Sequence, residues 1–120
     1  MINFETTLKI DKFPLEYFPV TYPFGGVNST VSGVGYNAAL ALATLGARVR
    51  LLSITGVDDV SSVIEAQMKK RRIETDFIIK SIQNTPQSVI VFENGGRRQI
   101  HVDLKDIQSA LYPPDLFIKA

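Results

Sequence analysis

The chain has 120 residues, a formal net charge of +1 and no cysteine. This length suits one domain or part of a larger one, and 45% hydrophobic with 21% charged residues is typical of globular proteins. The near-neutral charge provides no field for binding nucleic acid or an anionic membrane, and disulfides and thiolate metal sites are excluded. No membrane-length apolar run and no secretory signal pattern are present, so we expect a cytoplasmic protein.

The N-terminal residues 2–11 alternate between two faces, with Ile, Phe, Thr, Leu and Ile on one face and polar residues on the other. This period of two predicts a β-strand. Pro14, Pro19 and Pro23 break the following segment into extended pieces, for which we predict one short strand at residues 20–22.

A polar, glycine-rich stretch then predicts a loop that ends at Gly35. The alanine-rich residues 37–45, closed by Gly46, predict a short helix packed tightly against a sheet. Residues 48–54 predict a buried strand. We therefore expect a glycine turn to lead into the first helix, with Asn37 at the start of that helix.

A second helix is predicted over about residues 60–71, because an apolar stripe recurs there at helical spacing. The basic residues 69–72 are interpreted as partners of the negative end of the helix dipole rather than as a binding patch. The stripe consists of Val60, Val63, Ile64, Gln67 and Met68.

The remaining elements are a strand over 75–80 and a β-hairpin, whose strands 88–92 and 98–104 flank Asn94-Gly95-Gly96. Strands separated by helices indicate a parallel sheet, while the first strand and the hairpin can pair as a separate β-layer. The prediction is therefore an α/β fold, a partial Rossmann-like sheet with an added β-sheet.

The turn Gly33-Val34-Gly35-Tyr36-Asn37 is the first candidate for chemistry. Glycines allow a sharp bend and close approach to a ligand, the helix N-terminus offers free N–H groups, and an asparagine can both donate to and accept from a sugar hydroxyl. A tight loop with an asparagine cap and no ligand fits the same residues.

The stretch Gly33 to Ala38 also fits the dinucleotide-binding pattern glycine-x-glycine-x-x-alanine, and Asp58 lies near the spacing of that motif's ribose-binding acid. That motif requires a hydrophobic strand directly upstream. The upstream residues 26–31 are mostly polar and predict turns. A dinucleotide-binding domain therefore stays as a competing hypothesis.

The order of motifs resembles the N-terminal signature of the ribokinase-like (PfkB) carbohydrate kinases over nearly the whole chain. The glycine turn, Asn37, the alanine-rich helix and Gly46 match its first part, and the strand to Ile54 precedes its glycine-acid-acid turn. The remaining matches are Thr55-Gly56-Val57-Asp58-Asp59, Ile73-Glu74-Thr75, Thr85-Pro86-Gln87-Ser88 and the Asn94 to Arg98 hairpin tip.

The resemblance implies a sugar-binding site and a β-sheet lid. Asn3 and Glu5 stand where the family has an asparagine and an acid for sugar hydroxyls, and they share one strand face. The implied substrate-binding residues are Asn3, Glu5, Gly33, Val34, Gly35 and Asn37, and the implied lid residues are Gln87, Arg98 and Gln99.

The chain also departs from the family pattern. Glu5 replaces the usual aspartate, Ser32-Gly33-Val34 stands where two glycines and a lysine are common, and Ser61 replaces a glycine. Arg97 and Arg98 could contact a substrate phosphate, although hairpin tips commonly carry charge. His101, the single histidine, is interpreted as a surface residue and not as a metal ligand.

The resemblance implies one domain over 1–120, with lid strands at about 2–24 and 86–104 and an α/β part at about 33–82. Relatives transfer phosphate from ATP, with Mg²⁺, to a sugar or nucleoside hydroxyl. The late glycine-alanine-glycine-aspartate segment that supplies their catalytic base does not occur here. We therefore predict an N-terminal kinase fragment, inactive alone, with no catalytic residue and no cofactor of its own.

Exposed sheet edges and apolar surface further predict a homo-oligomer that forms through the lid strands. The candidate interface residues are Phe4, Leu8, Ile10, Ile100 and Val102. The competing hypotheses are a non-catalytic ligand-binding or oligomerisation module and the dinucleotide-binding domain.

Overall fold

The computed structural model describes all 120 residues, which form six strands and three α-helices. In chain order the elements are β1 (Asn3–Lys9), β2 (Val27–Ser32), α1 (Val34–Thr44), β3 (Ser53–Gly56), α2 (Asp59–Lys70), β4 (Ile78–Ile82), β5 (Gln87–Phe92), β6 (Arg98–Asp103), a short 3₁₀ helix (Lys105–Gln108) and α3 (Pro114–Lys119). The mixture of sheet and helix confirms the predicted α/β class.

Four strands form one sheet in the order β2-β1-β5-β6, which we call the outer sheet. β1 is antiparallel to β2 and parallel to β5, and β5 and β6 form the predicted antiparallel hairpin. The predicted pairing of the first strand with the hairpin is therefore confirmed. Glu5 lies opposite Thr30 on β2 and opposite Ser88 on β5, so these three side chains share a face.

The edge strand β2 is the main departure from the prediction. Residues 20–22 form no strand, whereas residues 27–32, predicted as loop, pair with β1 along their whole length. Pro19 and Pro23 flank residues 20–22 and lack the N–H groups that a ladder needs. The free edge of β1 offers hydrogen bonds to the polar residues of β2, and this tertiary pairing outweighs their weak strand propensity. The predicted lid range 2–24 therefore leaves out β2.

The second part, which we call the α/β layer, contains α1, α2 and the two parallel strands β3 and β4. Its strand β3 begins at Ser53 and not at Arg48, although Arg50 forms an isolated parallel bridge with Glu74. The third strand lies at 78–82 and not at 75–80. Helix α1 begins at Val34, so the prediction that Asn37 starts the helix is wrong.

Helix α2 lies within one residue of its predicted bounds and is capped by Asp58, which accepts a hydrogen bond from Ser61 N. Of the predicted stripe, Ile64 and Met68 are fully buried, whereas Val63 is 45% exposed. Ser61 takes a core-facing position instead, because it bonds to another buried hydroxyl. The helix face is therefore rotated slightly from the prediction.

The apolar core joins the outer sheet to the α/β layer. The chain is nevertheless open in shape, because its Cα radius of gyration is 16.4 Å, against about 14 Å expected for a compact domain of this length. Aromatic and aliphatic side chains between Leu15 and Phe24 are largely exposed. No helix has both the length and the apolar composition that crossing a bilayer requires. The buried core cluster consists of Ile2, Val31, Tyr36, Ala39, Ile64, Met68, Ile73 and Ile78.

Candidate functional site

Asn3 lies on the central strand β1 and is 5% exposed. Its side-chain Nδ2 donates a hydrogen bond to Ser88 Oγ at 2.7 Å. Its Oδ1 is buried and has no hydrogen-bond partner. Because a buried acceptor without a donor costs about 1–3 kcal/mol, this oxygen is poised to accept a hydrogen bond from a ligand.

The glycine turn meets Asn3 directly. Gly33 has a φ of +106°, and a Cβ built there would lie 3.1 Å from Asn3 Oδ1 and 2.5 Å from the Met1 carbonyl oxygen. A Cβ on Gly35 would lie 3.2 Å from Met1 N. The two glycines therefore allow the residues before β1 to cross the turn, and any larger residue at Gly33 would clash.

Asn37 and Val34 occupy exposed positions on the first turns of α1. Asn37 N donates to Gly33 O at 2.9 Å, and the Asn37 side chain makes no hydrogen bond within the chain. Val34 is 87% exposed and contributes no polar atom from its side chain. Asn37 is therefore free to bind a ligand, whereas Val34 can offer only its backbone and apolar surface.

Glu5 is half-buried on the same strand face as Asn3 and forms no ion pair or hydrogen bond through its carboxylate. Its neighbours across the sheet are Thr30 and Ser88, both with hydroxyl groups. Asn3 Oδ1 and the Glu5 carboxylate are both hydrogen-bond acceptors. The arrangement thus suits a neutral ligand with several hydroxyl donors and disfavours an anion.

The structure does not bring the three predicted lid residues to this face. Gln87 lies opposite Phe4, so its side chain is on the other side of the outer sheet from Glu5. Gln99 is on that other side as well, because it pairs with Val91. Arg98 shares the face of Glu5, but the β6 residue in line with Glu5 is Val102, which pairs with Ser88. Arg98 is four residues along β6 from Val102, a distance of about 13 Å.

Arg97 is bound to two other segments of the chain. Its Nε donates to Glu93 at 2.7 Å and one of its terminal nitrogens donates to the Phe13 carbonyl at 3.0 Å. The Arg97 hydrogen bond holds the pKa of Glu93 below its ordinary value, and a further hydrogen bond from Phe13 N acts in the same direction. Arg97 therefore joins the hairpin tip to the segment after β1.

Ser88 is the site residue that the sequence did not indicate. It is 4% exposed and lies 85 positions from Asn3 in the chain, yet it determines which atom of the Asn3 amide remains free. Two signals were available: Ser88 ends the family-like stretch Thr85-Pro86-Gln87-Ser88, and it is a serine in an otherwise apolar strand, Ser-Val-Ile-Val-Phe. The second signal is weak, because a strand serine is ordinarily solvated.

The glycine turn lacks the strand geometry of a dinucleotide-binding motif. Backbone atoms of Met1, including its carbonyl oxygen, lie close to both Gly33 and Gly35. No group of three or more acidic or histidine side chains is arranged to hold a metal ion. The strand before the turn is β2, an antiparallel edge strand and not the parallel strand that a dinucleotide motif needs. The dinucleotide hypothesis is therefore wrong.

Comparison with solved structures defines the fold. A microbiome-derived acarbose kinase, Mak1, superimposes with a TM-score of 0.84 at 18% identity, covering 98% of this chain and 39% of that one. Arabidopsis thaliana ribokinase, solved with ribose and ATP, gives a TM-score of 0.67 at 18% identity, covering 85% of this chain and 33% of that one. The fold is therefore that of the ribokinase-like kinases.

Sequence comparison defines the family. The profile of the pfkB family carbohydrate kinases matches residues 6–116. The bifunctional protein HldE of Blochmanniella pennsylvanica is 36% identical over 66 residues, which make up 53% of this chain and 13% of that protein. The chain belongs to the PfkB family of carbohydrate kinases. It spans a small part of this curated relative and between 33% and 39% of the two solved kinases.

Proposed function

We propose that this chain carries part of the sugar-binding site of an ATP-dependent sugar kinase. The main support for this proposal is Asn3 Oδ1, which is buried, has no hydrogen-bond partner, and lies against the Gly33 turn on the same strand face as Glu5. Two acceptors on one strand face can receive two hydroxyl donors of a sugar, one of them in a charge-assisted hydrogen bond. Asn37 adds an exposed amide at the adjacent helix.

The acceptor is proposed to be a sugar or a nucleoside, because both present neighbouring ribose-type or pyranose hydroxyls. The longer side chain of Glu5 places its carboxylate about one methylene farther from β1 than the aspartate of the family pattern, which changes the distance between the two acceptors. Phosphoryl transfer from ATP is the chemistry of the family. The part proposed for the residues of this chain is to bind and orient the acceptor.

The test is binding of a panel of pentoses, hexoses, nucleosides, ATP and NAD to the purified chain, measured by calorimetry and by amide chemical shifts. We expect one sugar or nucleoside to shift Asn3, Gly33 and Asn37 signals, and Glu5→Gln to weaken its binding about tenfold or more, the value of one charged hydrogen bond. The control Glu16→Gln changes an exposed carboxylate that pairs with Lys12 and is not one of the proposed site residues. NAD binding, or equal binding by both variants, would contradict the proposal.

We also propose that the chain alone does not turn over ATP. The catalytic glycine-alanine-glycine-aspartate segment of the family is absent from these 120 residues. In a coupled assay with the sugar identified above, pure chain should release no ADP above background. ATP-dependent phosphorylation of that sugar would contradict this proposal.

A second proposal concerns self-association through the outer sheet. Strand β6 is exposed along its whole length and leaves one edge of the sheet unpaired, with Ile100 48% and Val102 50% exposed. Phe4 and Leu8 lie on the opposite face, and Phe4 packs against the core, so the five predicted interface residues do not form one surface. Sedimentation should show a dimer that Val102→Lys dissociates. A wild-type monomer at high concentration would contradict it.

A further inference from the structure

The carboxylate of Asp58 joins the α/β layer to the start of the outer sheet. Asp58 Oδ1 accepts a hydrogen bond from Ser61 N at 3.1 Å, which caps helix α2. The same carboxylate accepts from Thr85 N and from Thr85 Oγ1, each at 2.7 Å. Thr85 lies two residues before β5. One side chain therefore binds both a helix of the α/β layer and the segment that enters the outer sheet.

Thr85 is enclosed by hydrogen bonds and close backbone contacts. Its side chain is fully buried, and its hydroxyl donates to Asp58 while accepting from Gly56 N at 2.9 Å. A Cβ on Gly56 would overlap Thr85 N and would lie 2.7 Å from the carbonyl carbon of Asn84. The backbones at Gly56 and Thr85 are thus in direct contact, and every polar atom of the Thr85 side chain is satisfied.

The segment after Thr85 leads directly to the proposed sugar site. The carbonyl of Pro86 accepts from Phe4 N at 3.0 Å, and two residues later Ser88 Oγ accepts from Asn3 Nδ2. Only Pro86 and Gln87 separate Thr85 from Ser88, a span of about 10 Å. The segment that begins at Thr85 is therefore hydrogen-bonded to β1 at both Phe4 and Asn3.

Helix capping alone does not explain this arrangement. An N-cap residue needs only one hydrogen bond from the N2 or N3 amide, which Ser61 N provides. The two bonds to Thr85 are additional, and they connect positions 27 residues apart. They are also the shortest bonds that this carboxylate makes.

We propose that Asp58 and Thr85 form a latch that fixes β5 against the α/β layer and so positions Ser88 and Asn3 for sugar binding. Both are positioning residues, because neither reaches the Asn3–Glu5 face. The effect on sugar affinity rests on the proposed function above. The effect on the orientation of the outer sheet does not.

The test uses two variants that break the side-chain hydrogen bond of the latch; Thr85→Val leaves the Thr85 N–H bond to Asp58 in place, and Asp58→Ser removes both bonds. Thr85→Val keeps a β-branched side chain and removes both hydroxyl bonds. Asp58→Ser keeps a good helix N-cap but is too short to reach Thr85. The matched control is Thr55→Val, because the fully buried Thr55 hydroxyl bonds to Ser61 Oγ at 3.0 Å within the α/β layer and does not contact Thr85.

Residual dipolar couplings of backbone amides report the orientation of the outer sheet relative to the α/β layer. In the wild type and in Thr55→Val we expect both parts to fit one alignment tensor. In Thr85→Val and Asp58→Ser the outer sheet should need a second tensor, and amide exchange in β5 should accelerate more than in α1. Because the two residues act as one unit, the double variant should resemble either single variant.

Sugar affinity provides the second measurement. The two latch variants should raise the dissociation constant about fivefold, the equivalent of one neutral hydrogen bond, while Thr55→Val leaves it unchanged. A single tensor in all variants, with equal stability losses in Thr85→Val and Thr55→Val, would overturn the latch. Absence of sugar binding in the wild type would instead overturn the proposed function. The residual dipolar couplings would still test whether the latch orients the outer sheet. Thr85→Ser, which retains the hydroxyl, should restore both wild-type results.

Discussion

Replacing Arg72 with glycine should stabilise this protein. Arg72 follows the last residues of α2 and has a φ of +59°, in the left-handed region. Its N–H bonds to Lys69 O and Ile73 N–H bonds to Met68 O, both at 3.0 Å, which is the pattern of a glycine-type helix end. The related end of α1 has glycine, Gly46, at φ +85°. Arg72 is thus a side-chain-bearing residue in a position that favours glycine.

The magnitude follows from two opposing terms. A non-glycine residue in the left-handed region costs about 1–2 kcal/mol. Glycine lowers stability by about 0.4–1 kcal/mol through the greater freedom of the unfolded chain. Arg72 makes no ion pair in the structure, so little else is lost. We expect Arg72→Gly to raise the free energy of unfolding by about 0.5–1 kcal/mol and the melting temperature by about 2–6 °C.

Urea denaturation measures the change, and the neighbouring Arg71 provides a matched control. Arg71 has a φ of −93°, which needs no glycine. Arg71→Gly removes the same charge from the same helix end and should lower stability by about 0.5–1 kcal/mol. Arg72→Ala separates charge from backbone strain and should give no gain. The reasoning is refuted if Arg72→Gly is no more stable than Arg71→Gly.

Three further changes test the contacts described above. Gly56→Ala forces a Cβ against the backbone at Thr85 and should destabilise the fold by about 2–3 kcal/mol in urea; an unchanged midpoint would contradict that contact. Ser88→Ala leaves Asn3 Nδ2 buried without an acceptor and should cost about 1–3 kcal/mol, with a shift of the Asn3 side-chain amide signal. Partial burial acts to raise the pKa of Asp58, but hydrogen bonds, mainly from Thr85, outweigh it and lower that pKa. The stabilisation that ionised Asp58 contributes is therefore complete above its unfolded pKa of about 3.9 and is lost as the pH falls through its lower folded pKa. The difference in free energy of unfolding between the wild type and Asp58→Asn should therefore shrink only in that pH window.

The predicted elements that the structure confirms are those whose signals are local. β1 alternates with period two, α2 has a helical stripe with an acidic start, and the hairpin has an Asn-Gly-Gly turn. Each pattern reflects the geometry of one element, so it requires no knowledge of what packs against it. The resemblance to the PfkB kinases, confirmed by the match over residues 6–116, depends on the order of such local motifs.

The features that the sequence did not predict are those that distant segments determine. The polar strand β2 forms because β1 offers it a free edge, and no propensity within 27–32 indicates that edge. Pairing register likewise decides that Gln87 and Gln99 lie on the opposite face of the outer sheet from Arg98. A strand residue's face depends on its register, which the sequence of that strand does not state.

The sequence by itself thus determined the class of fold, the glycine turn at Gly33 and Gly35, and the family to which the chain belongs. Only the tertiary structure decided that Ser88 orients Asn3, that the Met1 backbone lies against the glycine turn, and that Thr85 bonds to Asp58. The physical reason is the same in each case. These contacts join segments far apart in the chain, and their hydrogen bonds exist only once burial has removed water from both partners.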